Sequence, residues 1–236
     1  GFRHFVENYI LRKISIYYAL NRDDFSHITK FLPIERVKML TMGVDDKKFI
    51  PMDKESAKEY FGLESKKYIG YVGRLSPEKG IIDLIKAFKL ATLQNTVLII
   101  VGSGPMEKEL KALVSVLDIN DGVIFWGQEN KKDRLSQLYS VFELLTLPSY
   151  TEGFPTVIIE SLSSGTPVVC SSLSGTKDII NNQNGSLFDA GDVDDLKESI
   201  IRVLGMQVSK EELHSSVTQY SWTSIVSIYI NDYRQQ

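Results

Sequence analysis

The sequence is poor in residues that several protein classes need, and each shortage excludes a class. One cysteine, Cys170, stands among 236 residues, so no disulfide can form within the chain and a reducing, cytoplasmic compartment is expected. No apolar run approaches the roughly 20 residues of a membrane span, and no stretch resembles a signal peptide. The net charge is −3, from 27 basic and 30 acidic residues, and gives no support for nucleic-acid binding.

Metal and thiol chemistry also lack their usual signatures. The three histidines, at positions 4, 27 and 214, lie outside the loops that follow predicted strands, so none is assigned to catalysis. Cys170 ends an apolar run and is expected to be buried and inert. Asp192-Val193-Asp194 matches a metal-binding D-x-D pattern, but it precedes a periodic helix, and capping of that helix by Asp192 is the favoured interpretation. No metal and no bound cofactor are therefore predicted.

What the chain does have is a regular alternation of apolar strands and amphipathic helices. Predicted strands cover residues 68–72, 96–101, 123–126, 142–147, 167–170 and 186–188, and predicted helices cover residues 81–93, 106–117, 132–141, 155–164, 177–182 and 193–204. Near-continuous apolar strands, each followed by a helix, predict an α/β fold with a Rossmann-like parallel sheet and helices on both faces.

The ends of the chain depart from this pattern. Before the regular alternation, helices are predicted at residues 2–12, 23–31 and 54–61, and strands at residues 14–20 and 37–41. A last helical region starts near Lys210 and continues past Trp222. Since the chain opens with Gly1 in the middle of a pattern, we expect it to be a piece of a longer protein.

The most informative stretch is PSYTEGFPTVIIE, residues 148–160, which follows a predicted strand. It carries two carboxylates, Glu152 and Glu160. With a helix starting near Pro155, Glu160 lies roughly 7 Å further along the axis, at 1.5 Å per residue. Between the two acids lie the free N–H groups of the helix start, where anions bind. A ligand with hydroxyls at each end and phosphate in the middle, such as a nucleotide-sugar, would satisfy this layout.

A second motif, GRLSPEKG at residues 73–80, follows the first regular strand. Arg74 and Lys79 flank a turn in which Ser76 is the predicted N-cap and Pro77 the first helical residue. One guanidinium, one ammonium and a helix N-terminus can stabilise a diphosphate leaving group without metal. An ordinary surface turn is the alternative, and the presence of residues 148–160 in the same chain disfavours it.

Two weaker motifs follow the next two strands. In Gly102-Ser103-Gly104-Pro105, Glu107 stands where the dinucleotide fingerprint has its third glycine, so a tight turn beside a nucleotide is the favoured interpretation. Gly127-Gln128-Glu129 can offer backbone groups to a nucleobase, although a plain loop explains it equally well.

Together these residues resemble the C-terminal, donor-binding domain of retaining glycosyltransferases of the GT-B fold, family 4. The similarity runs from about Met42 to the C-terminus. The order and spacing of the motifs carry it: Gly43–Asp45, Gly73–Gly80, Val101–Pro105, Pro148–Glu160, Ser164–Val169, Ser174–Ile180 and Asn184–Phe188. Serines at 161 and 163, and Lys177-Asp178 in place of a frequent Pro-Glu pair, depart from the commonest pattern but spare the proposed contacts.

The resemblance implies a role for each site residue. Arg74 and Lys79 would bind the donor diphosphate, Glu160 the ribose hydroxyls, and Glu152 the transferred sugar, with Arg74, Lys79 and Glu152 as the catalytic groups. The implied substrate-binding residues are Gly73, Gly104, Gly127, Gln128, Gly153, Phe154, Pro155, Thr156, Val157 and Glu160. The leaving phosphate itself would help to deprotonate the acceptor, so no covalent nucleophile and no metal are needed.

The resemblance also implies three parts and an activity. Residues 1–45 would be a remnant of the N-terminal domain plus linker, residues 46–209 the nucleotide-sugar-binding domain, and residues 210–236 a C-terminal helix that packs back on the missing domain. The expected function is transfer of a hexose from a nucleotide diphosphate sugar to a glycan or lipid-linked acceptor with retention, as in polysaccharide biosynthesis. Because acceptor contacts would lie in the missing domain, this chain alone should be inactive or nearly so.

Several alternatives stay open at this point. A nucleotide-sugar 2-epimerase shares the fold, and a non-catalytic nucleotide-sugar-binding subunit could retain the same residues. A nicotinamide oxidoreductase is the weakest candidate because the glycine fingerprint fails. The amphipathic segment Arg3–Lys13 could make a peripheral contact with the inner face of the membrane, although burial against the absent domain is favoured.

Overall fold

The computed structural model describes residue 13 and residues 15–234, and every structural statement below concerns those residues. Its strands are β1 (Tyr17–Ala19), β2 (Val37–Met39), β3 (Lys67–Val72), β4 (Thr96–Val101), β5 (Val123–Gly127), β6 (Leu144–Leu147), β7 (Val168–Ser171) and β8 (Gly185–Phe188). Its α-helices are α1 (Arg22–Ile28), α2 (Lys54–Phe61), α3 (Ile81–Ala91), α4 (Glu107–Val116), α5 (Lys132–Val141), α6 (Thr156–Ser163), α7 (Ser174–Lys177), α8 (Val193–Leu204), α9 (Lys210–Ser215) and α10 (Trp222–Arg234).

Six of these strands form one parallel sheet in the order β5-β4-β3-β6-β7-β8. The chain fills the sheet outward from β3 in one direction and then outward from β6 in the other. The strand order therefore reverses between β3 and β6, and ligands of open parallel sheets bind beyond the carboxyl ends of the strands at such a point. The predicted α/β fold is confirmed.

Helices cover both faces of this sheet because neighbouring residues of each strand point to opposite sides. Along β4, Ile99 packs into a cluster with α2, α5 and α6, whereas Leu98 and Ile100 pack with α3, α4 and α8. All six residues of β4 are buried, which is why its sequence is an unbroken apolar run.

The segment from β1 to β2, residues 17–39, forms a small N-terminal unit with a core of its own. The strands β1 and β2 pair in parallel, and Ala19, Ile28, Leu32 and Val37 bury one another in a cluster of their own. At the start of α1, Asn21 is the N-cap, and its carboxamide oxygen accepts a hydrogen bond from the Asp24 amide at 2.9 Å. The apolar faces of this stretch thus have partners.

The C-terminal helical region is not continuous, which corrects the prediction. It consists of α9, a 3-10 turn at Thr218–Tyr220, and α10. Ser221 takes an extended conformation and pairs with Val44, whose amide donates to the Tyr220 carbonyl at 2.8 Å and whose carbonyl accepts from the Trp222 amide at 3.0 Å. This pairing with the segment before α2 interrupts the helix.

The two ends of that region contact different units. Leu213 and Val217 lie in the core of the main sheet, whereas in α10 Asp232 pairs with Lys38 and Tyr229 lies edge-on to Tyr18 at 4.8 Å. The division of the chain into three domains stays a prediction.

The short helix after β7 is also misplaced in the prediction: α7 is Ser174–Lys177, not residues 177–182. The Thr176 hydroxyl accepts from the Leu173 amide and donates to the Ser171 carbonyl, which fixes the turn early. The side chains of Asn181 and Asn184 then bond to nearby backbone amides and compete with a helix.

The helix predicted for residues 2–12 lies outside the described residues, together with its histidine and most of the segment 3–13. Across the part of the chain that is described, no helix is both long enough and apolar enough to span a bilayer.

Candidate functional site

A cleft opens at the carboxyl ends of β3, β4 and β5. Its volume is about 550 Å3, and its lining residues are Val72, Gly73, Arg74, Val101, Gly102, Ser103, Gly104, Gln128 and Glu129. Four of the predicted site residues, Gly73, Arg74, Gly104 and Gln128, therefore meet in one place, and Gly127 ends the strand beside them. The predicted residues 152–160 do not line this cleft.

The loops that form the cleft interlock through glycines. A Cβ atom on Gly102 would lie 1.9 Å from the Gly73 carbonyl oxygen, and one on Gly104 would lie 2.3 Å from the Leu75 carbonyl oxygen. The Leu75 amide in turn donates to the Ser103 carbonyl at 2.9 Å. These two glycines are required by the close approach of the neighbouring loop, so the tight-turn interpretation accounts for them.

Arg74 supplies a cation at the rim of the cleft. Its side chain is exposed, and within residues 15–234 its guanidinium makes no hydrogen bond or ion pair. Its backbone is held because the Tyr71 hydroxyl donates to the Arg74 carbonyl at 2.9 Å. The guanidinium is thus available to an anionic ligand.

The turn after Arg74 differs from the prediction. Ser76 does not cap a helix; its hydroxyl donates to the Glu78 carboxylate at 2.5 Å, and this bond holds the pKa of Glu78 below its usual value. Residues 77–79 form a 3-10 turn, and α3 begins only at Ile81, after Gly80. Pro77 is thus the first residue of a helical turn, as predicted, but that turn is a 3-10 turn without a side-chain cap and the α-helix starts four residues later.

Lys79 and Glu152 form an ion pair that joins the loop after β3 to the loop after β6. The Nζ–Oε1 distance is 2.7 Å, and the two side chains are 23% and 12% exposed. The Ser149 hydroxyl also donates to Glu152 Oε1, at 2.6 Å. Two residues predicted to contact different parts of a ligand thus contact each other.

Backbone contacts bring the same two loops together. The Tyr150 amide donates to the Glu78 carbonyl at 2.8 Å. Gly80 has φ of 63°, and a Cβ atom there would lie 2.0 Å from the Pro148 carbonyl oxygen. Only glycine combines that left-handed conformation with so close an approach.

The helix α6 begins at Thr156 with no side-chain cap. Within the described residues, the amides of Thr156 and Val157 donate to no acceptor. Phe154 packs against Tyr220 at a ring distance of 5.8 Å, and Pro155 is buried, so both hold the helix start in place. An uncapped helix N-terminus favours an anion.

Gly153, at the tip of the loop before α6, contacts the N-terminal unit. Its carbonyl accepts a hydrogen bond from the Asn21 carboxamide at 3.0 Å. Nearby, the Asp23 amide donates to the Ser174 hydroxyl, and Arg22 pairs with Asp178 at 3.0 Å. The backbone of Gly153 is therefore partly engaged by the protein itself.

Glu160 lies one turn into α6 and is partly buried. Its Oε2 accepts a hydrogen bond from the hydroxyl of Tyr139, in α5, at 3.0 Å. Burial raises the pKa of Glu160, while the Tyr139 hydrogen bond and the charge of Lys132 oppose that shift. No local signal in the sequence could have found Tyr139, since it stands 21 residues away.

The loop after β5 is held by partners that the sequence analysis also missed. The Gln128 amide oxygen accepts from the Ser103 hydroxyl at 3.2 Å, and its nitrogen donates to Asn130 at 2.9 Å. Glu129 pairs with Arg134 at 2.9 Å. These contacts fix the far wall of the cleft.

Two further predictions concern residues outside the site. Asp192 caps α8, since its carboxylate accepts from the amides of Asp194 and Asp195 at 3.0 and 2.9 Å, which confirms the capping interpretation. Cys170 is fully buried, and burial raises its pKa to about 12, so the thiol stays uncharged. Over the described residues, no three or more His, Cys, Asp and Glu side chains are grouped to hold a metal ion.

A parallel sheet with a strand-order reversal, a cleft with an exposed arginine at its rim and an uncapped helix start are the features of a Rossmann-like, ligand-binding domain. Comparison with known proteins identifies the family of this domain. The chain belongs to the family described as Glycosyl transferases group 1, whose model matches residues 53–221.

Curated relatives agree with the family. The chain is 32% identical over 214 residues to an uncharacterized glycosyltransferase of Methanocaldococcus jannaschii, covering 86% of this chain and 55% of the relative. It is 28% identical over 208 residues to D-inositol 3-phosphate glycosyltransferase of Mycolicibacterium smegmatis, covering 84% and 47%. The chain thus spans about half the length of the curated relatives it matches.

Solved structures show the same GT-B fold. Sucrose-phosphate synthase from Thermosynechococcus elongatus superposes with a TM-score of 0.86 at 26% identity, covering 98% of this chain and 60% of the other. HepE from Anabaena, solved in complex with UDP and glucose, gives a TM-score of 0.79 at 20% identity, covering 94% and 63%. At that identity the second likeness concerns the fold alone.

Proposed function

We propose that the protein is a retaining, family 4 glycosyltransferase, and that this chain binds its nucleotide diphosphate sugar donor. The observation that carries the proposal lies at the carboxyl ends of the strands next to the strand-order reversal. The loops there carry Arg74, which has no partner among the described residues, the Lys79–Glu152 pair that joins two of the loops, and the start of α6, which has no side-chain cap. The family match supports the transferase activity. A neighbour of the same fold, HepE, is solved with UDP and glucose.

In the proposed reaction, the bond between the anomeric carbon of the sugar and the diphosphate oxygen breaks. A bond from the acceptor hydroxyl oxygen to the same carbon forms on the same face, and the hydroxyl proton passes to the leaving diphosphate. Negative charge therefore grows on the diphosphate, where Arg74, Lys79 and the amides of Thr156 and Val157 would stabilise it. These groups supply positive charge from the protein itself, so we propose no bound metal or cofactor.

The proposal also assigns residues to the sugar and to the nucleoside at the two ends of the donor. Glu152 would accept hydrogen bonds from the hydroxyls of the transferred hexose while it keeps Lys79 beside the phosphates. Glu160 would accept from the ribose, and the backbone at Gly127 and Gln128 would meet the base. The acceptor, a glycan or a lipid-linked sugar in this proposal, would bind outside this chain.

Isothermal titration with UDP, GDP and ADP tests the donor site. We expect one of these nucleotides to bind, and we expect Arg74→Ala to weaken it about tenfold, the usual effect of losing one charge-assisted hydrogen bond. The matched control is Arg36→Ala, which removes an exposed arginine that does not line the cleft and changes the net charge equally. Absence of binding at millimolar nucleotide, or equal effects of the two substitutions, would refute the donor site.

The whole protein tests the activity. Incubation with the bound donor and a glycan acceptor should give a product whose anomeric configuration, measured by NMR, equals that of the donor. An inverted product would refute retention. Turnover of donor with no acceptor, giving an epimerised sugar, would instead support a 2-epimerase.

A further inference from the structure

A buried tyrosine lies directly behind one acid of the proposed site. Tyr139 has no exposed surface, and its hydroxyl donates to Oε2 of Glu160 at 3.0 Å. The other carboxylate oxygen, Oε1, accepts no hydrogen bond from residues 15–234. One oxygen of Glu160 is thus committed to the protein, and the other is open to a donor from a ligand.

The position of the Tyr139 ring is fixed by its surroundings. The ring of Phe142 packs perpendicular to it at 6.3 Å, and that of Phe49 lies at 6.0 Å. The Thr166 hydroxyl donates to the Tyr139 carbonyl at 2.7 Å and ties α5 to the loop that follows α6. Because ring and backbone are both held, the phenol cannot follow the carboxylate, and it instead sets the carboxylate's orientation.

The protonation states of Tyr139 and Glu160 suit this hydrogen bond. Burial and the neighbouring Glu160 raise the pKa of Tyr139 well above its usual value, so the phenol stays a donor. The titratable groups found to face Glu160 are Tyr139 and the exposed Lys132, both on α5. Both favour the ionised carboxylate, which is the form that accepts hydrogen bonds.

We propose that Tyr139 is a positioning residue for nucleoside recognition: its hydroxyl holds the Glu160 carboxylate so that Oε1 accepts from the hydroxyls of a ribose. The inference rests on the proposed function, because it takes the ribose of the donor as the ligand of Glu160. It assigns a binding role to a residue that the ligand never touches.

Titration with two ligands separates this role from a merely structural one. The nucleotide used is whichever of UDP, GDP and ADP the wild type binds, written as UDP below. Tyr139→Phe should weaken UDP binding about tenfold, the loss expected for one hydrogen bond to a charged group. It should leave the binding of inorganic pyrophosphate, which has no ribose, unchanged. The matched control is Tyr68→Phe: Tyr68 is also buried, and its hydroxyl donates to the Glu64 carbonyl at 3.0 Å, at the amino end of β3. Equal weakening of UDP and pyrophosphate by Tyr139→Phe would overturn the proposal.

A double-substitution cycle shows whether Tyr139 acts through Glu160. In a Glu160→Gln protein, adding Tyr139→Phe should change UDP affinity less than twofold. If Tyr139→Phe does not fold alone, the double variant carries the test, because it leaves no unpaired buried carboxylate. A tenfold further loss in the Glu160→Gln background would refute action through Glu160.

A direct measurement on Glu160 needs no ligand. The 13C resonance of its carboxyl carbon should titrate at higher pH in Tyr139→Phe than in the wild type, because a hydrogen bond to the charged form is lost and the pKa of Glu160 rises. Lys132→Ala should also raise the pKa of Glu160, because it removes a nearby positive charge. It keeps the Tyr139 hydroxyl, so it should leave UDP affinity at pH 8 unchanged. An unshifted titration in Tyr139→Phe would show that the contact is absent.

The outcomes distinguish this inference from the proposed function. Wild-type protein that binds none of UDP, GDP, ADP and pyrophosphate would refute the donor site and this inference with it. Wild-type protein that binds UDP no better than Tyr139→Phe does would refute the positioning role alone.

Discussion

Loss of the Lys79 ammonium should destabilise the protein more than loss of both members of the Lys79–Glu152 pair. Glu152 is only 12% exposed, and without Lys79 the one hydrogen-bond partner left to its carboxylate among residues 15–234 is the Ser149 hydroxyl. A partly buried charge without a counter-ion is unfavourable, whereas a neutral glutamine at that position needs no counter-ion.

The expected magnitudes follow from burial and distance. Two unit charges about 4 Å apart attract by roughly 4 kcal/mol at the effective dielectric near a protein surface, and this pair is closer, at 2.7 Å. Desolvation offsets much of that gain. We therefore expect Lys79→Met to cost about 2 kcal/mol, Glu152→Gln about 1 kcal/mol and the double variant about 1.5 kcal/mol, a coupling of about 1.5 kcal/mol.

Urea denaturation followed by circular dichroism measures the free energy of unfolding of the wild type, the two single variants and the double variant. In thermal denaturation, each 1 kcal/mol of lost stability should lower the melting temperature by about 2–4 °C. The matched control is the Lys111–Glu107 pair in α4, which has the same 2.7 Å distance but side chains 54% and 41% exposed. Its coupling should stay near 0.3–0.5 kcal/mol. Additive effects at Lys79 and Glu152, within about 0.5 kcal/mol, would refute the inferred burial of charge.

Three further perturbations test other features of the site and fold. Gly80→Ala should destabilise by about 3 kcal/mol, because it combines backbone strain with a clash against Pro148, whereas Gly62→Ala, with nearly the same φ but open space, should cost about 1 kcal/mol in urea denaturation. Asp192→Ala should cost about 1 kcal/mol as a lost helix cap, and Mn2+ should leave the wild-type melting temperature unchanged. Because the pKa of Glu160 is raised above 4.5, UDP affinity should fall as pH is lowered through that raised pKa, and Glu160→Gln should remove this part of the pH dependence in titration calorimetry. The same shift makes the contribution of Glu160 to folding stability decrease as pH rises through it.

Much of the fold could be predicted from local chemistry. Helix α2 begins and ends where predicted. Asp53 caps its first turn, and Gly62 takes the left-handed conformation after its last residue. Periodicity alone also gave the bounds of α5 and α8. The wrong predictions concern segments whose structure depends on residues distant in the sequence. The C-terminal helical region is interrupted because Ser221 pairs with Val44, and no local pattern reveals that partner.

The candidate site also has features that local sequence predicts and features that it does not. Glu152 and Glu160 could be proposed as site residues from the sequence because each stands at a fixed offset from a helix start, and that role stays a prediction. It could not show that Lys79 pairs with Glu152, since they are 73 positions apart, nor that Tyr139 supports Glu160. Strand order brings these segments together, and strand order is not encoded in the spacing of a single motif.

The two acids are stabilised by different means, and this affects how a diphosphate can bind. Glu152 is neutralised by a full positive charge, whereas Glu160 has a neutral phenol against it and the charge of an exposed Lys132 nearby. Of the cations at positions 74 and 79, only Arg74 is therefore uncommitted before a ligand arrives. In the proposed donor site, a diphosphate would bring more negative charge than one guanidinium balances, so the uncapped amides of α6 would have to contribute. Since helix amides are fixed in place while Lys79 must share its charge with Glu152, we infer that removal of Lys79 harms folding first and donor binding second, and that removal of Arg74 does the reverse.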